Sequence, residues 1–261
     1  MEFMDLQGFF TDLSNDNLDA KKVKETLSKP NPMPSIIVAQ VQQDFEGITK
    51  PDELGLFNIH RAVMNNKLKD VQRLIMCVKA AEKSIDVATE DGKTSLELAI
   101  ENNVSATIVK VLLDAGAQPV SPELAYDSAV ILASEMSSPL LSELLNYVKC
   151  CKLLDQIGSK GFAALHHCAL NGYFEGVQML VQAGANINLR DQRSGRTAFF
   201  HALENNHCST AQLLLENGAI PDIPNFAGHT VLALVEDVKN LPLRTTLSKL
   251  IEKQRQQYQQ N

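Results

Sequence analysis

The residues of this chain best suited to chemistry are a run of two histidines and a cysteine, His166-His167-Cys168, and an adjacent cysteine pair, Cys150-Cys151. Cysteine and histidine are the usual zinc ligands, and a cysteine beside a histidine base is a common nucleophile. Their spacing fits neither arrangement, and the chain has neither a His-Glu-x-x-His motif nor a Gly-rich phosphate-binding loop. We therefore predict a protein that is not an enzyme and that carries no metal and no cofactor.

A repeat of about 34 residues explains these positions better. Gly-Ala pairs close three leucine-rich runs, and a second glycine marker opens amphipathic segments at a similar interval. The pairs are Gly116-Ala117, Gly184-Ala185 and Gly218-Ala219, and the markers are Gly92, Gly161, Gly195 and Gly228. A period near 33 residues with a T-P-L-H-x-A signature is typical of ankyrin repeats, each a hairpin turn followed by two antiparallel helices. The sequence resembles that family over residues 52–252.

The fourth and fifth units fit the signature best, with residues 163–169 and 197–203 in its slots. His166 fills the signature histidine slot, which implies a hydrogen bond within the hairpin, and Cys168 fills a small core slot. The third unit, residues 121–151, is placed by phase alone, and the sixth has Ala233 in place of the histidine. We predict an all-α ankyrin-repeat solenoid of about six helix-turn-helix repeats with hairpin loops, over residues 51–252. Thr or Ser caps the first helices and Gly ends the second ones.

Composition narrows the classes of partner. The chain has 24 basic and 31 acidic residues, a net charge of −7, which repels a phosphate backbone, so direct nucleic-acid binding is not expected. Its five cysteines lack regular spacing, and no apolar run approaches the ~18 residues of a membrane span. We expect an intracellular protein with reduced thiols and no membrane association, nuclear or cytoplasmic or both.

The two ends lie outside the repeats. Residues 1–50 contain Pro30, Pro32 and Pro34 and are expected to be flexible, and so is the Gln-rich tail 253–261. An acidic amphipathic stretch, Phe3 to Leu13, could dock on a partner or fold over the first repeat. The apolar run Ser35 to Val41 could add as a strand or pack as a linker.

The fifth repeat carries a more specific likeness. Residues 194–206, Ser-Gly-Arg-Thr-Ala-Phe-Phe-His-Ala-Leu-Glu-Asn-Asn, follow a hairpin with one extra residue and resemble the S-G-R-[ST]-x-x-x-H-A-x-E-x-N repeat of I-kappa-B proteins. The chain lacks an Asp-Ser-Gly-x-x-Ser phosphodegron and an acidic PEST-like segment. The chain therefore resembles the atypical nuclear branch of the I-kappa-B family most.

The resemblance implies a non-enzymatic regulator that binds Rel (NF-kappa-B) transcription-factor dimers and inhibits or modulates transcription of their target genes, as in innate immune signalling. Residues 1–50 could recruit a co-regulator. A general ankyrin adaptor that presents a different protein remains the alternative. The sequence does not separate repression from activation.

Ankyrin geometry predicts where a partner lies, because hairpin tips and the exposed ends of first helices line one concave face. The predicted binding residues are Lys93, Glu101, Asn102, Phe162, Arg193, Arg196, Glu204, Asn205, Phe226 and His229, with Leu56, Met64, Asn65, Lys160, Leu170, Asn171 and Asp237 at equivalent positions. Aromatic and arginine side chains are the usual hot spots, so four are favoured: Phe162, Arg193, Arg196 and Phe226. The simpler interpretation is that these residues are not hot spots. Arg193 and Arg196 would then be solvated hairpin charges, and Phe162 would cover its own helix.

Overall fold

The computed structural model describes residues 35–120, 127–148 and 150–236, and then residues 244–245, 247–249, 251–253 and 256. The amphipathic stretch Phe3 to Leu13, most of the tail 253–261 and Asp237 lie outside the described residues. The chain divides into two compact units, with the boundary between Gln118 and Pro119.

The first unit contains an N-terminal helix and two helical hairpins. Its helices are α1 (Ser35–Gly47), α2 (Asn58–Met64), α3 (Leu68–Ala80), α4 (Ser95–Glu101) and α5 (Ala106–Asp114). Within each hairpin the two helices pack together, and α2 also packs on α4 while α3 packs on α5. First helices therefore contact first helices and second helices contact second helices, as ankyrin hairpins require.

The second unit repeats this plan. Its helices are α6 (Ala129–Glu135), α7 (Leu141–Leu145), α8 (Ala164–Asn171), α9 (Phe174–Gln182), α10 (Ala198–Glu204), α11 (Cys208–Glu216) and α12 (Val231–Glu236), with a short 3-10 helix at Cys151–Asp155. The first helices α6, α8, α10 and α12 pack in sequence, and the second helices α7, α9 and α11 do the same. Hairpins three, four and five and the start of the sixth are thus present.

Apolar periodicity and capping explain why these segments are helices. Leu96 and Ile100 of α4 and Ile108 and Leu112 of α5 lie four residues apart and are fully buried, so each helix presents one apolar stripe to its partner. Thr94 caps α4: its Oγ1 accepts from the Glu97 N–H at 3.4 Å, and the Glu97 carboxylate accepts from the Thr94 N–H at 2.7 Å.

The all-α prediction is confirmed. The described part of the chain has no strand, and its one isolated β-bridge joins Arg190 and Thr197 across a hairpin. No helix among the described residues is both long and apolar enough to cross a membrane.

The segment Ser35 to Val41 differs from both structures expected for it, a strand and a linker, because it forms the first half of helix α1, which packs on α3. Val41, Asp44 and Ile48 lie three and four residues apart and are each at most 3% exposed, which is the spacing of one helical face. Asp44 also forms a 2.7 Å ion pair with Nε of Arg73 on α3. The segment is therefore the start of a helix that packs on the first repeat.

A left-handed residue follows the first helix of each of hairpins one to five, and the sequence reasoning missed it. The five residues are Asn66, Asn103, Ser137, Gly172 and Asn206, with φ between 47° and 67°. Asn tolerates this conformation better than most side chains. The spacing of these residues, 34 to 37, gives a repeat marker that includes the poorly defined third unit.

Candidate protein-binding surface

The histidines and cysteine that could have done chemistry have structural roles. His166 Nδ1 accepts from the Ala163 N–H at 3.1 Å and its Nε2–H donates to the Leu189 carbonyl at 2.9 Å. Both ring nitrogens are therefore occupied, and the predicted hairpin hydrogen bond is present. Burial lowers the pKa of His166 to about 4 and raises the pKa of the Cys168 thiol to about 12, so the neutral forms are favoured. Among the described residues no cluster of ligands could hold a metal ion.

The first unit uses a histidine in the same way. His60 Nδ1 accepts from the Phe57 N–H at 3.3 Å, and its Nε2–H donates to the Val87 carbonyl at 3.0 Å. Burial lowers the pKa of His60 as well. The signature histidine thus links the start of a first helix to the hairpin that follows, in both units.

Phe162 is half-buried rather than exposed, which corrects the expectation for its slot. Its ring lies 5.5 Å from the ring of His167, 5.5 Å from that of His201 and 6.3 Å from that of His166, measured between centroids. The first two contacts are edge-to-face, the geometry that aromatic rings prefer. Phe162 therefore covers a group of three buried histidines, and much of its contribution goes to stability.

The two predicted phenylalanines should consequently behave differently. We expect Phe162→Ala to lower the free energy of unfolding by about 2 kcal/mol, because it uncovers three histidine rings, and Phe226→Ala to lower it by less than about 0.5 kcal/mol. Phe226 is 63% exposed. Urea titrations followed by circular dichroism would measure both. Equal losses in the two variants would contradict this division of roles.

Asp191 organises the long hairpin of the fifth repeat. Its Oδ1 accepts from the N–H groups of Arg193, Ser194 and Gly195, at 2.5 to 3.2 Å. Its Oδ2 accepts from the Arg196 N–H at 3.1 Å and the Ser194 hydroxyl at 2.9 Å.

The same carboxylate also binds a histidine, since His201 Nε2 lies 2.8 Å from Oδ2 of Asp191. Burial alone would raise the pKa of Asp191, but hydrogen bonds from Ser194 and His201 outweigh it and hold that pKa at about 2. The spacing Asp-x-x-Ser-Gly, with a histidine ten residues after the aspartate, was available in the sequence.

Backbone hydrogen bonds join the hairpins of the second unit. The Gln192 N–H donates to the Gly161 carbonyl at 3.0 Å, and the Phe226 N–H donates to the Ser194 carbonyl at 2.8 Å. Side chains link the same pairs of hairpins. The Arg193 guanidinium lies 5.6 Å from the ring centroid of Phe162, and the Arg190 guanidinium lies 5.0 Å from the ring centroid of Phe226. Three consecutive hairpins therefore hold their tips in fixed register.

Basic and acidic residues of the predicted surface pair within single repeats. Lys93 binds the Glu101 carboxylate at 2.7 and 2.8 Å in the first unit, and Arg196 binds that of Glu204 at 3.1 Å in the second. Each pair joins the residue before the helix cap to the end of the same first helix. These four charges are therefore partly neutralised before any partner arrives.

The neighbouring asparagines also make local bonds. Asn102 Nδ2 donates to the Leu98 carbonyl and Asn205 Nδ2 donates to the His201 carbonyl, both at 2.8 Å. Both residues are exposed.

The structure gathers the predicted residues into one set in each unit. Lys93, Glu101 and Asn102 lie together in the first unit, with Met64 and Asn65 exposed on its other hairpin. The second unit holds Phe162, Arg193, Arg196, Glu204, Asn205, Phe226 and His229, with Lys160, Leu170 and Asn171 on the same repeats. Whether these sets bind a partner stays a prediction.

Comparison with known proteins gives the family context. A profile described as ankyrin repeats (many copies) matches residues 161–215. The mouse B-cell lymphoma 3 protein homolog is 32% identical over 206 residues, 78% of this chain and 46% of that protein. The chicken nuclear factor NF-kappa-B p105 subunit is 29% identical over 181 residues, 69% of this chain and 18% of that protein. The chain thus spans less than half the length of these curated relatives.

A solved structure agrees over most of the described chain. The crystal structure of the ankyrin repeat domain of Bcl-3, a unique member of the IkappaB protein family, matches with a TM-score of 0.68 and 32% identity. The match covers 76% of this chain and 87% of that domain. Sequence and fold therefore both relate this chain to Bcl-3.

Proposed function

We propose that this chain, which belongs to the I-kappa-B family of ankyrin-repeat proteins, binds Rel (NF-kappa-B) transcription-factor dimers and thereby inhibits or modulates transcription of their target genes. The observation that carries the proposal is the 32% identity to the Bcl-3 ankyrin domain over most of both chains. The family consists of protein-interaction modules rather than enzymes. Likeness to the p105 subunit supports the same class of partner.

The surface proposed for this contact is the hairpin tips and first-helix ends of the second unit. Arg193 and Phe226 are its best anchors, because both are exposed and Arg193 forms no ion pair within the described chain. Arg196 is a weaker anchor, because Glu204 already forms an ion pair with its guanidinium. Arginine and aromatic residues that become desolvated at an interface centre contribute most to affinity.

The test is binding of the purified full chain to recombinant Rel homology domains, as preformed dimers, by surface plasmon resonance. We expect saturable binding that an Arg193→Glu, Phe226→Ala double variant weakens by about a hundredfold, since two anchors at roughly 1.4 kcal/mol each are lost. The control is Lys110→Glu with Thr107→Ala, two exposed changes on α5 in the first unit. It should bind as the parent does.

Two results would contradict the proposal in different ways. Absence of binding to every Rel dimer, from protein that circular dichroism shows to be folded, would remove Rel proteins as partners and favour a general ankyrin adaptor. Unchanged binding by the double variant would keep the partner and exclude this surface.

A further inference from the structure

We propose that the hairpin tips of the second unit form a cationic strip that binds an acidic segment of the partner. The strip consists of Phe162, Arg190, Arg193 and Phe226. The inference rests on the proposed function, because the strip is part of the surface assigned to the partner, and it specifies the chemistry recognised there. The partner segment carries Asp or Glu side chains interspersed with apolar ones.

The charged residues of one hairpin favour an acidic ligand. Residues 190–196 contain three arginines and one aspartate, a net charge of +2 in a chain whose total is −7. The aspartate, Asp191, has a fully buried carboxylate that hydrogen bonds from this hairpin and His201 occupy. Glu204 neutralises Arg196. The uncompensated positive charge therefore belongs to Arg190 and Arg193.

Both remaining arginines are exposed and lack carboxylate partners in the described structure. Arg190 Nε donates to the Gly195 carbonyl at 3.0 Å, and its guanidinium lies over Phe226. The guanidinium of Arg193 lies over Phe162. A ring that contacts a guanidinium leaves N–H groups free at the edge, and those groups match a carboxylate in a bidentate fork. The aromatic contacts thus orient two carboxylate receptors.

The strip is also held in place before binding. A Cβ at Gly195 would lie 2.6 Å from Cδ1 of Phe226 and 2.7 Å from Nη2 of Arg190, so both side chains rest directly on that glycine. The hydrogen bonds from Gln192 and Phe226 to neighbouring hairpins fix the backbone beneath. A rigid receptor loses less conformational entropy on binding, which favours affinity.

Single-stranded nucleic acid is the other polyanion that such a strip could suit, because bases stack on aromatic rings. The net charge of −7 opposes a polyphosphate, which needs a large basic surface to release its counterions. Two free arginines match a few carboxylates better than a phosphate backbone. An acidic peptide is therefore the favoured occupant.

The experiment measures fluorescence anisotropy of a labelled peptide of repeating Glu-Glu-Tyr units, mixed with the full chain in the absence of any Rel protein. A Gln-Gln-Tyr peptide and an oligothymidine of matched length are the comparison probes. We expect saturable binding of the acidic peptide only, weakened about tenfold by Arg193→Gln and several-fold by raising salt from ~50 to ~200 mM. Lys152→Gln, which removes an exposed charge elsewhere in the same unit, is the matched control.

The inference is overturned if the Gln-Gln-Tyr peptide binds equally, if Arg193→Gln and Lys152→Gln have the same effect, or if the oligothymidine binds more tightly. These outcomes are independent of the Rel assay. Acidic-peptide binding without Rel binding would refute the proposed function and support the chemistry of the strip. Rel binding without acidic-peptide binding would support the proposed function and refute the chemistry of the strip.

Discussion

Replacing Asp191 with alanine is expected to lower the free energy of unfolding by about 3–5 kcal/mol, the cost of breaking a buried charged network. Its carboxylate accepts hydrogen bonds from four backbone N–H groups, the Ser194 hydroxyl and His201. Alanine leaves these donors without an acceptor inside the hairpin, and each unsatisfied buried donor costs about 1–3 kcal/mol. Urea unfolding followed by circular dichroism measures the loss.

Asp191→Asn separates charge from geometry at the same position. The amide oxygen can still accept from Arg193, Ser194 and Gly195, while the Ser194 hydroxyl and the His201 tautomer can adapt to the amide nitrogen. The Arg196 N–H loses its acceptor, so we expect roughly half the loss seen with alanine. Asp91→Ala, at an exposed position in a hairpin of the first unit, is the control and should change stability by less than about 0.5 kcal/mol. A loss below about 1 kcal/mol for Asp191→Ala would show that water replaces this carboxylate.

The repeat architecture was predictable because each hairpin restates the same local rules. Threonine caps at Thr94 and Thr197 and the histidine at 166 recur at fixed phase, and the structure confirms their hydrogen bonds. The third unit was predictable only by phase, because a 3-10 helix starts at Cys151, where other repeats have Gly-Ala. Its left-handed Ser137 does keep the period.

The local environment of the candidate site was less predictable, because it depends on contacts between repeats. Phe162 occupies a solvent-facing slot by phase, but the neighbouring repeat contributes His201 beneath its ring. The pairing of Arg196 with Glu204 joins residues eight apart, across a helix cap, and no helical periodicity predicts it. Helix α1 was missed because the buried residues among its described side chains are just Val41 and Asp44, too few to reveal a helical period.

Buried histidines should make the fold sensitive to mild acid. Burial lowers the pKa values of His60, His166, His167 and His201, that of His166 to about 4 from an ordinary 6.5. The unfolded chain therefore takes up these protons first as pH falls below 6.5. The free energy of unfolding therefore decreases as pH falls from about 6.5 to the pKa of each histidine in the folded state.

Carboxylates act differently over this range. The pKa of Asp191, about 2 in the folded protein, lies below the ordinary 3.8 of this side chain, so its contribution is lost only at more acidic pH. Burial raises the pKa values of Asp86 and Glu97, and that change strengthens folding as pH falls, which partly offsets the histidines. The histidines dominate at the upper end of the range, near pH ~6, because unfolded carboxyl groups titrate below it.

His166 should account for about 2 kcal/mol of the loss between pH ~7 and pH ~5, from the difference between its folded and unfolded pKa values. The decisive comparison is between urea midpoints at the two pH values for the parent chain and for His166→Gln, which removes the titrating group. The variant starts from lower stability, because its hydrogen bonds to Ala163 and Leu189 are disturbed, but its stability should fall by about 2 kcal/mol less. Parallel pH profiles for the parent and His166→Gln would mean that His166 takes up its proton equally in the folded and unfolded states, contrary to the burial and the hydrogen bonds of its ring.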